Sequence, residues 1–378
     1  MAKILFLTTA HNYDDDRIFY HQAKELKSQG HEVMVSSLCS DFQGVIEGVL
    51  IQSFGILTLS SKEKTEKFRN ICTSFSPDCI ICSEPLAVIA TKEYTKYRKA
   101  PVLYDITEWY PSKRMLKNYS FFGKLFHFIK FGLIQLYAGF ISSAFIFGEH
   151  TKKFPLAYLF PRKLKLVLPY FPSEIYIQKN IKKLKANEIT LCYTGEISKE
   201  KGIDNFFNAS RALRKKRPLL QIKILIIGGA RSEGEQFHFE NLVKMYKWAN
   251  VSIQKPTPFA KFTESFSEAD ICFDLRTSNI ENNHCLPIKI FYYAAAGKPV
   301  IYTDLKATRE FVNVSKFGYL VNPENSNLIA DYIIQYIENT DLYDKHAVAA
   351  RKEYEGKYNW EIIRRSFTDF VTLFIHKD

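Results

Sequence analysis

The chain has 378 residues, 46% of them hydrophobic, which excludes a disordered polymer and provides enough length for two domains. Lysine and arginine total 52 against 40 acidic residues, giving a formal net charge of +12. This excess favours an anionic partner: a phosphorylated substrate, a nucleic acid or an acidic membrane surface. Charge alone does not choose among the three.

The first residues of the chain and its cysteines indicate the cellular compartment to expect. The opening MAKILFLTTA has neither the long apolar region nor the cleavage site of a signal peptide. The cysteine count is odd (seven), and Cys79 and Cys82 lie inside the apolar run DCIICSEP, which predicts buried strand thiols rather than a redox or zinc pair. The uncharged stretch 131–148 is interrupted by Gln135 and predicts a helix end and a strand, not a transmembrane helix. We therefore expect a cytoplasmic protein with reduced cysteines.

Short apolar runs alternate with helical patterns along the first half of the chain. Asp16 is placed to cap a first helix and Gly30 to end it. Further helices are predicted over 86–97 and after Tyr119. The predicted strands are KILFLTT, HEVMVSSL, DCIICS, PVLYD and AFIFG. Strands that alternate with helices predict a parallel sheet covered on both faces.

A second series of the same kind follows an interruption by prolines and lysines at LVLPYFPSEIYIQKNIKKLKANE. Its predicted strands are ITLCYTG, IKILIIGG, NVSIQ, DICFDL, PVIYTD and GYLV. We therefore predict an α/β protein with two Rossmann-like, doubly wound domains, 1–172 and 186–357. The last helix, about 358–378, is expected to pack back on the first domain.

Open α/β sheets bind ligands at the carboxyl ends of their strands, so the loops of the two domains are expected to face each other across a cleft. The dinucleotide fingerprint G-x-G-x-x-G is absent after both leading strands, which disfavours a nicotinamide or flavin enzyme. Gly228 and Gly229 follow IKILII, where a glycine pair also suits a simple tight turn.

Three segments carry the most specific patterns. They are the opening TTAHNYDDDRIFYHQAKELKSQGHEV, the strand-to-helix turn YTGEISKEKGID at 193–204, and LPIKIFYYAAAGKPVIYTD at 286–304. In this order they resemble the family 4 glycosyltransferases of GT-B fold over nearly the whole chain. The resemblance implies a retaining, metal-independent sugar transfer without a cofactor, in which the second domain holds the nucleotide sugar and the first shapes the acceptor site.

The resemblance implies a donor site on the second domain. Lys201, followed by Gly202, lies at a turn whose free N–H groups suit a phosphate, and Lys289 lies at a second helix start after Pro287. Either lysine can instead be an ordinary surface or packing residue. The predicted donor-binding residues are Gly195, Glu196, Lys201, Gly202, Gly228, His284, Leu286, Pro287, Lys289 and Tyr292.

Four positions depart from the family pattern. Glu196 stands where the family has an arginine, and Thr107 where many members have a histidine. His284 and Tyr292 occupy the places of two glutamates eight positions apart. These departures leave two alternatives open. One is a nucleotide-sugar 2-epimerase on the same fold, and the other is a GT-B protein that has lost catalysis and serves as a binding partner.

The predicted catalytic residues lie in the first domain, near the ends of strands, and are His11, Asp105 and Glu108. Arg17 and Thr107 are assigned to the acceptor side, although Arg17 can equally pair with neighbouring aspartates. Asp14 and Asp16 match a metal-binding D-x-D in form, but their place before the first helix suits capping and loop solvation. We therefore expect no metal.

Residues 109–148 contain no acidic residue, yet they contain five lysines or arginines interleaved with many aromatics. This pattern indicates either an interfacial helix at an anionic membrane or an ordinary amphipathic helix with a basic edge. Nucleic acid is disfavoured because no recognition module accompanies the segment.

The sequence thus predicts a glycosyltransferase that moves a hexose-type sugar from a nucleotide-diphosphate donor to a hydroxyl. The acceptor is expected to be a saccharide or a lipid-linked saccharide, in surface polysaccharide or glycolipid biosynthesis. Besides a cytoplasmic location, a peripheral one at the inner face of the membrane is open.

Overall fold

A computed structural model of the chain describes residues 1–108, 110–117 and 119–375, without the side chains of Lys113 and Arg114. It divides into two compact units. Unit 1 is Met1–Tyr170 with the chain from Ile363 onward, and unit 2 is Phe171–Ile362. The division thus falls at residue 170, whereas the sequence reading placed a boundary segment between 172 and 186. None of the helices in the described ranges is long and apolar enough to span a bilayer.

Unit 1 contains an eight-stranded sheet. Its strands are β1 (Lys3–Thr8), β2 (Glu32–Ser37), β3 (Phe42–Ile46), β4 (Val49–Ser53), β5 (Cys79–Cys82), β6 (Val102–Ile106), β7 (Ala144–Phe147) and β8 (Lys165–Val167). Their order is β3-β4-β2-β1-β5-β6-β7-β8, and every pair is parallel except β3 with β4. The β3–β4 hairpin was missed in the sequence. It turns at Glu47 and Gly48, whose φ values of 48° and 79° suit a two-residue hairpin turn.

The helices of unit 1 begin with a π-helical stretch, Asp16–Ala23, which continues as α1. They are α1 (Lys24–Ser28), α2 (Ser61–Phe75), α3 (Pro85–Ala90), α4 (Lys92–Tyr97), α5 (Lys113–Leu116), α6 (Phe121–Ile141) and α7 (Leu156–Leu159). The predicted cap at Asp16 is wrong by one position. Asp15 is the N-cap, and its carboxylate accepts from the N–H groups of Arg17 and Ile18.

Unit 2 contains a six-stranded, all-parallel sheet. Its strands are β9 (Glu188–Glu196), β10 (Gln221–Gly229), β11 (Asn250–Gln254), β12 (Ile271–Asp274), β13 (Val300–Thr303) and β14 (Gly318–Val321), in the order β11-β10-β9-β12-β13-β14. This is the strand order 3-2-1-4-5-6 of a doubly wound nucleotide-binding sheet. Every strand predicted in this half is present.

Helices flank the sheet of unit 2 along the chain. They are α8 (Ile203–Lys216), α9 (Glu233–Met245), α10 (Phe262–Ser265), α11 (Ile280–Asn283), α12 (Lys289–Ala295), α13 (Lys306–Phe311), α14 (Ser326–Glu338), α15 (Thr340–Lys357) and α16 (Trp360–Ile375). The last of them passes into unit 1 at Ile363. There Arg364 lies 3.8 Å from the Glu25 carboxylate of α1.

The apolar strand runs form the two cores. All residues of β5 and β12 are buried, as expected for parallel strands covered on both faces. Cys79 and Cys82 are among them, and burial raises the pKa of the Cys79 thiol to about 12. Cys79 and Cys82 are therefore buried strand thiols, as the sequence indicates.

Gly202 allows β12 and the start of α8 to approach closely. Its φ is 84°, a left-handed conformation that glycine adopts without strain. A Cβ at this position would lie 2.0 Å from the carbonyl oxygen of Leu275, just after β12. The backbone contact therefore requires a residue without a side chain.

We expect Gly202→Ala to lower the free energy of unfolding by about 2–4 kcal/mol, since it adds backbone strain and forces a backbone shift. Urea denaturation of unit 2 measures this change. Gly234→Ala in α9 is the matched control, because no atom lies within 4 Å of the added Cβ. Equal stability of the two variants would contradict the close approach at Gly202.

Candidate functional site

Each sheet reverses its strand order at one point. In unit 1 the reversal lies between β1 and β5, and in unit 2 between β9 and β12. Connections leave in opposite directions there, so a crevice opens outside the carboxyl ends of the two strands. Predicted site residues follow these strands in both units.

In unit 2 a buried group of charges lies at the ends of β9 and β12. Arg276 donates to both oxygens of the Asp274 carboxylate, at 2.7 and 2.6 Å. The Lys289 ammonium is 3.5 Å from the same carboxylate and donates to the carbonyl oxygen of Thr194. It also lies over Gly195, where a Cβ would be 3.2 Å from it. Two cations share one anion, so the group has a net positive charge facing Gly195.

Burial and neighbouring charges set the protonation of this group. Burial alone would raise the pKa of the Asp274 carboxyl, but the charges of Arg276 and Lys289 hold it well below its usual range. Burial lowers the pKa of Lys289, an effect that Asp274 opposes and that the positive charges of Arg276 and Lys201 reinforce. An anion bound here would restore the balance of charge, which makes Lys289 suited to a phosphate.

The turn after β9 positions Lys201. The Tyr193 hydroxyl donates to the carbonyl oxygens of Glu196 and Lys201, at 2.6 and 3.2 Å, and so ties the two ends of the turn together. The Lys201 N–H donates to the Ser198 hydroxyl at 3.1 Å. The Lys201 ammonium is 3.9 Å from Glu200 and remains partly exposed. The turn then leads at Gly202 into α8, whose first N–H groups add a positive dipole end.

The missing arginine of the glycine turn has a counterpart on the neighbouring strand. Arg231, just after β10, forms an ion pair of 2.9 Å with Glu196 and has 64% of its side chain exposed. Gly228 brings the two strand ends together, since a Cβ there would lie 1.8 Å from the Gly195 carbonyl oxygen. Sequence reasoning missed Arg231. The sequence does contain a signal for it: Glu196 stands at the family's arginine position, and Arg231 lies two residues after the glycine pair Gly228–Gly229.

The remaining predicted donor residues divide by burial. Leu286 and Pro287 are buried before α12, and His284 is half-buried at the end of α11. Tyr292 is buried, with its ring edge-on to the rings of Phe259 and Phe262. This is a packing environment, and it lends no support to a donor contact by Tyr292.

In unit 1 the reversal point holds a histidine between two carboxylates. His11 Nδ1 is 2.9 Å from the Asp15 carboxylate, and Nε2 is 3.7 Å from Glu84. Glu84 is buried just after β5 and accepts from the Thr8 hydroxyl and from the N–H groups of Thr9 and Ala10, at 2.9, 2.7 and 3.1 Å. Sequence reasoning missed Glu84, which holds the loop after β1.

Burial of His11 opposes its charged form, but the hydrogen bond with Asp15 and the charges of Asp15, Glu84 and Glu108 outweigh this effect. They raise the pKa of His11 to about 9. The imidazole is therefore protonated at neutral pH and donates hydrogen bonds instead of accepting a proton. This argues against general-base catalysis by His11.

Asp105 and Arg17 form a buried ion pair inside unit 1. Arg17 donates to both Asp105 oxygens, at 2.7 and 2.8 Å, and Gln22 donates to the same carboxylate at 2.7 Å. Arg17 also donates to the Leu168 carbonyl oxygen and lies 4.5 Å from the centre of the Tyr170 ring. Both charged side chains are nearly inaccessible. The predicted catalytic role of Asp105 and acceptor contact of Arg17 therefore give way to a structural ion pair between the two residues, which lie 88 positions apart.

Two predicted residues that follow β6 stay partly accessible. Thr107 and Glu108 follow β6 and are half-buried, and the negative charge of Glu108 acts on His11. Glu108 is thus the predicted catalytic carboxylate that can still reach a ligand.

Among residues 1–108, 110–117 and 119–375, no cluster of three His, Cys, Asp or Glu side chains could hold a metal ion.

Together these features define a protein with two Rossmann-like sheets, each with polar groups at its reversal point. Residues 175–353 match the family of glycosyl transferases group 1. The glycosyltransferase resemblance is confirmed at the level of this match. No curated protein matches the chain.

Solved structures similar to the whole chain have the GT-B fold. Sucrose-phosphate synthase from Thermosynechococcus elongatus has a TM-score of 0.76 at 16% identity, with 100% of each chain covered. HepE of Anabaena in complex with UDP has a TM-score of 0.70 at 15% identity, with 98% of this chain and 100% of HepE covered. A glycosyltransferase from Rickettsia africae has a TM-score of 0.70 at 16% identity, covering 100% and 99%. The predicted GT-B fold is confirmed.

The raised pKa of His11 predicts a pH-dependent contribution to stability. A folded pKa above the unfolded value of about 6.5 stabilises fully below pH 6.5, and the effect is lost as the pH rises towards about 9. His11→Gln should therefore reduce the free energy of unfolding by about 1–3 kcal/mol more at pH 6 than at pH 9.5. Urea unfolding at both pH values measures this difference. A difference that is independent of pH would contradict the charged state of His11.

Proposed function

We propose that this protein is a glycosyltransferase that moves a hexose-type sugar from a nucleotide-diphosphate donor to a hydroxyl acceptor. The observation that carries the proposal is the partly buried Lys289 ammonium at the β9–β12 reversal point, in the stretch that matches glycosyl transferases group 1, paired with a carboxylate that Arg276 already neutralises. HepE, which is similar in fold, was solved with UDP and with UDP-glucose. A nucleoside diphosphate is the ligand class that this charge favours.

In the proposed donor site, Lys289 and Lys201 face the diphosphate, together with the N–H groups at the start of α8. Arg231 takes the part of the arginine that Glu196 replaces. The negative charge that develops on the departing diphosphate is stabilised by these fixed cations, which need little reorganisation during the reaction. Neither a metal nor a cofactor forms part of the proposal, and retention of the anomeric configuration is expected from the family resemblance.

On the acceptor side, His11 supplies a charged hydrogen-bond donor and Glu108 a carboxylate that can orient the acceptor hydroxyl. The acceptor is a saccharide or a lipid-linked saccharide, used in surface polysaccharide or glycolipid biosynthesis. The proposed location is cytoplasmic and peripheral at the inner face of the membrane.

Removing a phosphate-facing cation should weaken binding of a nucleoside diphosphate but not of its nucleoside. Charge-assisted hydrogen bonds contribute about 1.5–3 kcal/mol, so Lys201→Ala and Arg231→Ala should each weaken UDP binding about tenfold or more. Isothermal titration with UDP and with uridine measures both affinities, and other nucleoside diphosphates test the base.

Lys199→Ala is the matched control, since Lys199 is an exposed lysine of the same turn. It should leave both affinities unchanged. If a variant weakens UDP and uridine equally, the side chain does not contact the diphosphate. Formation of a nucleotide sugar inverted at C2, or of UDP and a glycal, without any acceptor would instead favour the epimerase alternative.

Sugar transfer should survive removal of divalent metal, because the leaving group is neutralised by protein cations. We expect the same initial rate of donor consumption before and after treatment with a chelator. Addition of manganese to the chelated protein is the control. Loss of activity in chelator that manganese restores would contradict a metal-independent reaction and return Asp14 and Asp16 to consideration as ligands.

A further inference from the structure

Helix α6 presents a broad apolar face to solvent. One row of exposed side chains follows the spacing of successive helical turns and consists of Phe122, Phe126, Ile129 and Leu133. An adjacent row contains Phe121, Leu125 and Phe128. Phe121 and Phe122 are 79% and 81% exposed, which is rare for phenylalanine in a folded protein. Exposed apolar side chains packed this densely mark an interaction surface.

The C-terminal third of α6 is anchored in the protein, where Gln135, Ala138 and Gly139 are buried. Earlier in the helix, the side opposite the rows is half-buried at His127, whose ring stacks on that of Tyr119 at 3.8 Å. The apolar rows are therefore directed outward. The side chains of the two rows therefore do not belong to the hydrophobic core of unit 1.

Lysines border the apolar face. At about 100° per residue, Lys124 and Lys130 fall on opposite edges of the arc formed by the two rows. Both are exposed, and residues 109–148 contain no acidic residue. An apolar face with lysines along both edges is the arrangement of a helix that lies in a membrane interface, where the lysine stems extend to the headgroups.

The apolar surface continues onto the next helix. A Cβ at Gly139 of α6 would lie 2.7 Å from Leu156 of α7, so the two helices touch there. Around this contact Phe154, Tyr158 and Leu159 are exposed. The surface thus consists of α6 and the short helix that packs on its C-terminal half.

We propose that α6 docks this protein onto an anionic lipid bilayer, with the helix lying in the plane of the interface. A protein partner would need a matching acidic rim, and a second copy would bring the lysine edges of two identical faces together. A bilayer with anionic headgroups meets both needs at once: an apolar layer for the phenylalanines and negative charge for Lys124 and Lys130. Since no described helix can span a bilayer, the orientation is in the plane.

The docking of α6 rests on the proposed function, since it identifies the surface that would hold the protein at the proposed peripheral location. Vesicle binding requires neither donor nor acceptor, and UDP binding requires no vesicle, so either proposal can fail alone. The test is co-sedimentation of the full chain with vesicles of phosphatidylcholine, alone or mixed equally with phosphatidylglycerol. The wild type should bind the mixed vesicles at low salt, and less as salt is added.

Two variants remove the two parts of the surface separately. Phe122→Ser with Phe126→Ser and Leu133→Ser removes the apolar row, and Lys124→Glu with Lys130→Glu reverses the edges. Each reversed lysine should weaken binding to mixed vesicles more than about fivefold at low salt, because the change removes a positive charge and adds a negative one. The apolar variant should abolish binding, while both variants keep the UDP affinity of the wild type. The matched controls are Leu219→Ser with Phe237→Ser, and Lys215→Glu with Lys244→Glu, all exposed positions of unit 2.

Three results would overturn the proposal. The first is a wild type that ignores mixed vesicles at low salt. The second is equal loss of binding in the control variants, which would indicate non-specific adsorption. The third is a concentration-dependent dimer that the apolar variant converts to a monomer, without any vesicle binding. In that case the face of α6 is an interface between two copies of the chain.

Discussion

In a parallel sheet every strand ends at the same edge, and polar residues that follow the strands are brought together there. Both sheets of this chain reverse their order once, between β1 and β5 and between β9 and β12. His11 and Glu84 meet at the first reversal, and Lys289 and Asp274 at the second. Neither group could form if the leading strand of its unit were displaced to the edge of the sheet. Strand order is thus the constraint on which the candidate site depends.

Two buried carboxylates, Asp105 and Asp274, are each paired with an arginine, but the net charges of the two groups differ. Asp105 is fully engaged by Arg17 and Gln22, so the group is closed and its charge is balanced. Asp274 is engaged by Arg276 in the same bidentate way, but a second cation, Lys289, is added. A partly buried cation that has no carboxylate of its own is stabilised when an anion binds beside it. The Asp105 group therefore stabilises the fold, whereas the Asp274 group, with its second cation, favours binding of a negatively charged ligand.

The sequence could predict the strands of long apolar runs and the two-unit architecture, because such runs form buried parallel strands, but it missed β3, β4 and β8. It could not predict pairs whose members lie on different strands. Glu84 and Thr8 are separated by 76 positions, and their hydrogen bond depends on β1 and β5 being neighbours. The same holds for Arg231 with Glu196, which needs β9 beside β10. The cap at Asp15 was missed for a local reason, since three successive aspartates offer equivalent caps.

Two positively charged places on the chain favour different anions. Around Lys289 the cation is partly buried, where a reduced dielectric strengthens its attraction for a compact, fully charged group such as a diphosphate. Along α6 the lysines are exposed and screened by salt, and they gain strength only beside a surface with many charges. Exposed phenylalanines would be a liability in water, since they invite aggregation. In the proposed docking, a partner that is apolar within and anionic at its surface would cover these phenylalanines and attract the lysines, with no acid among residues 109–148 to oppose it.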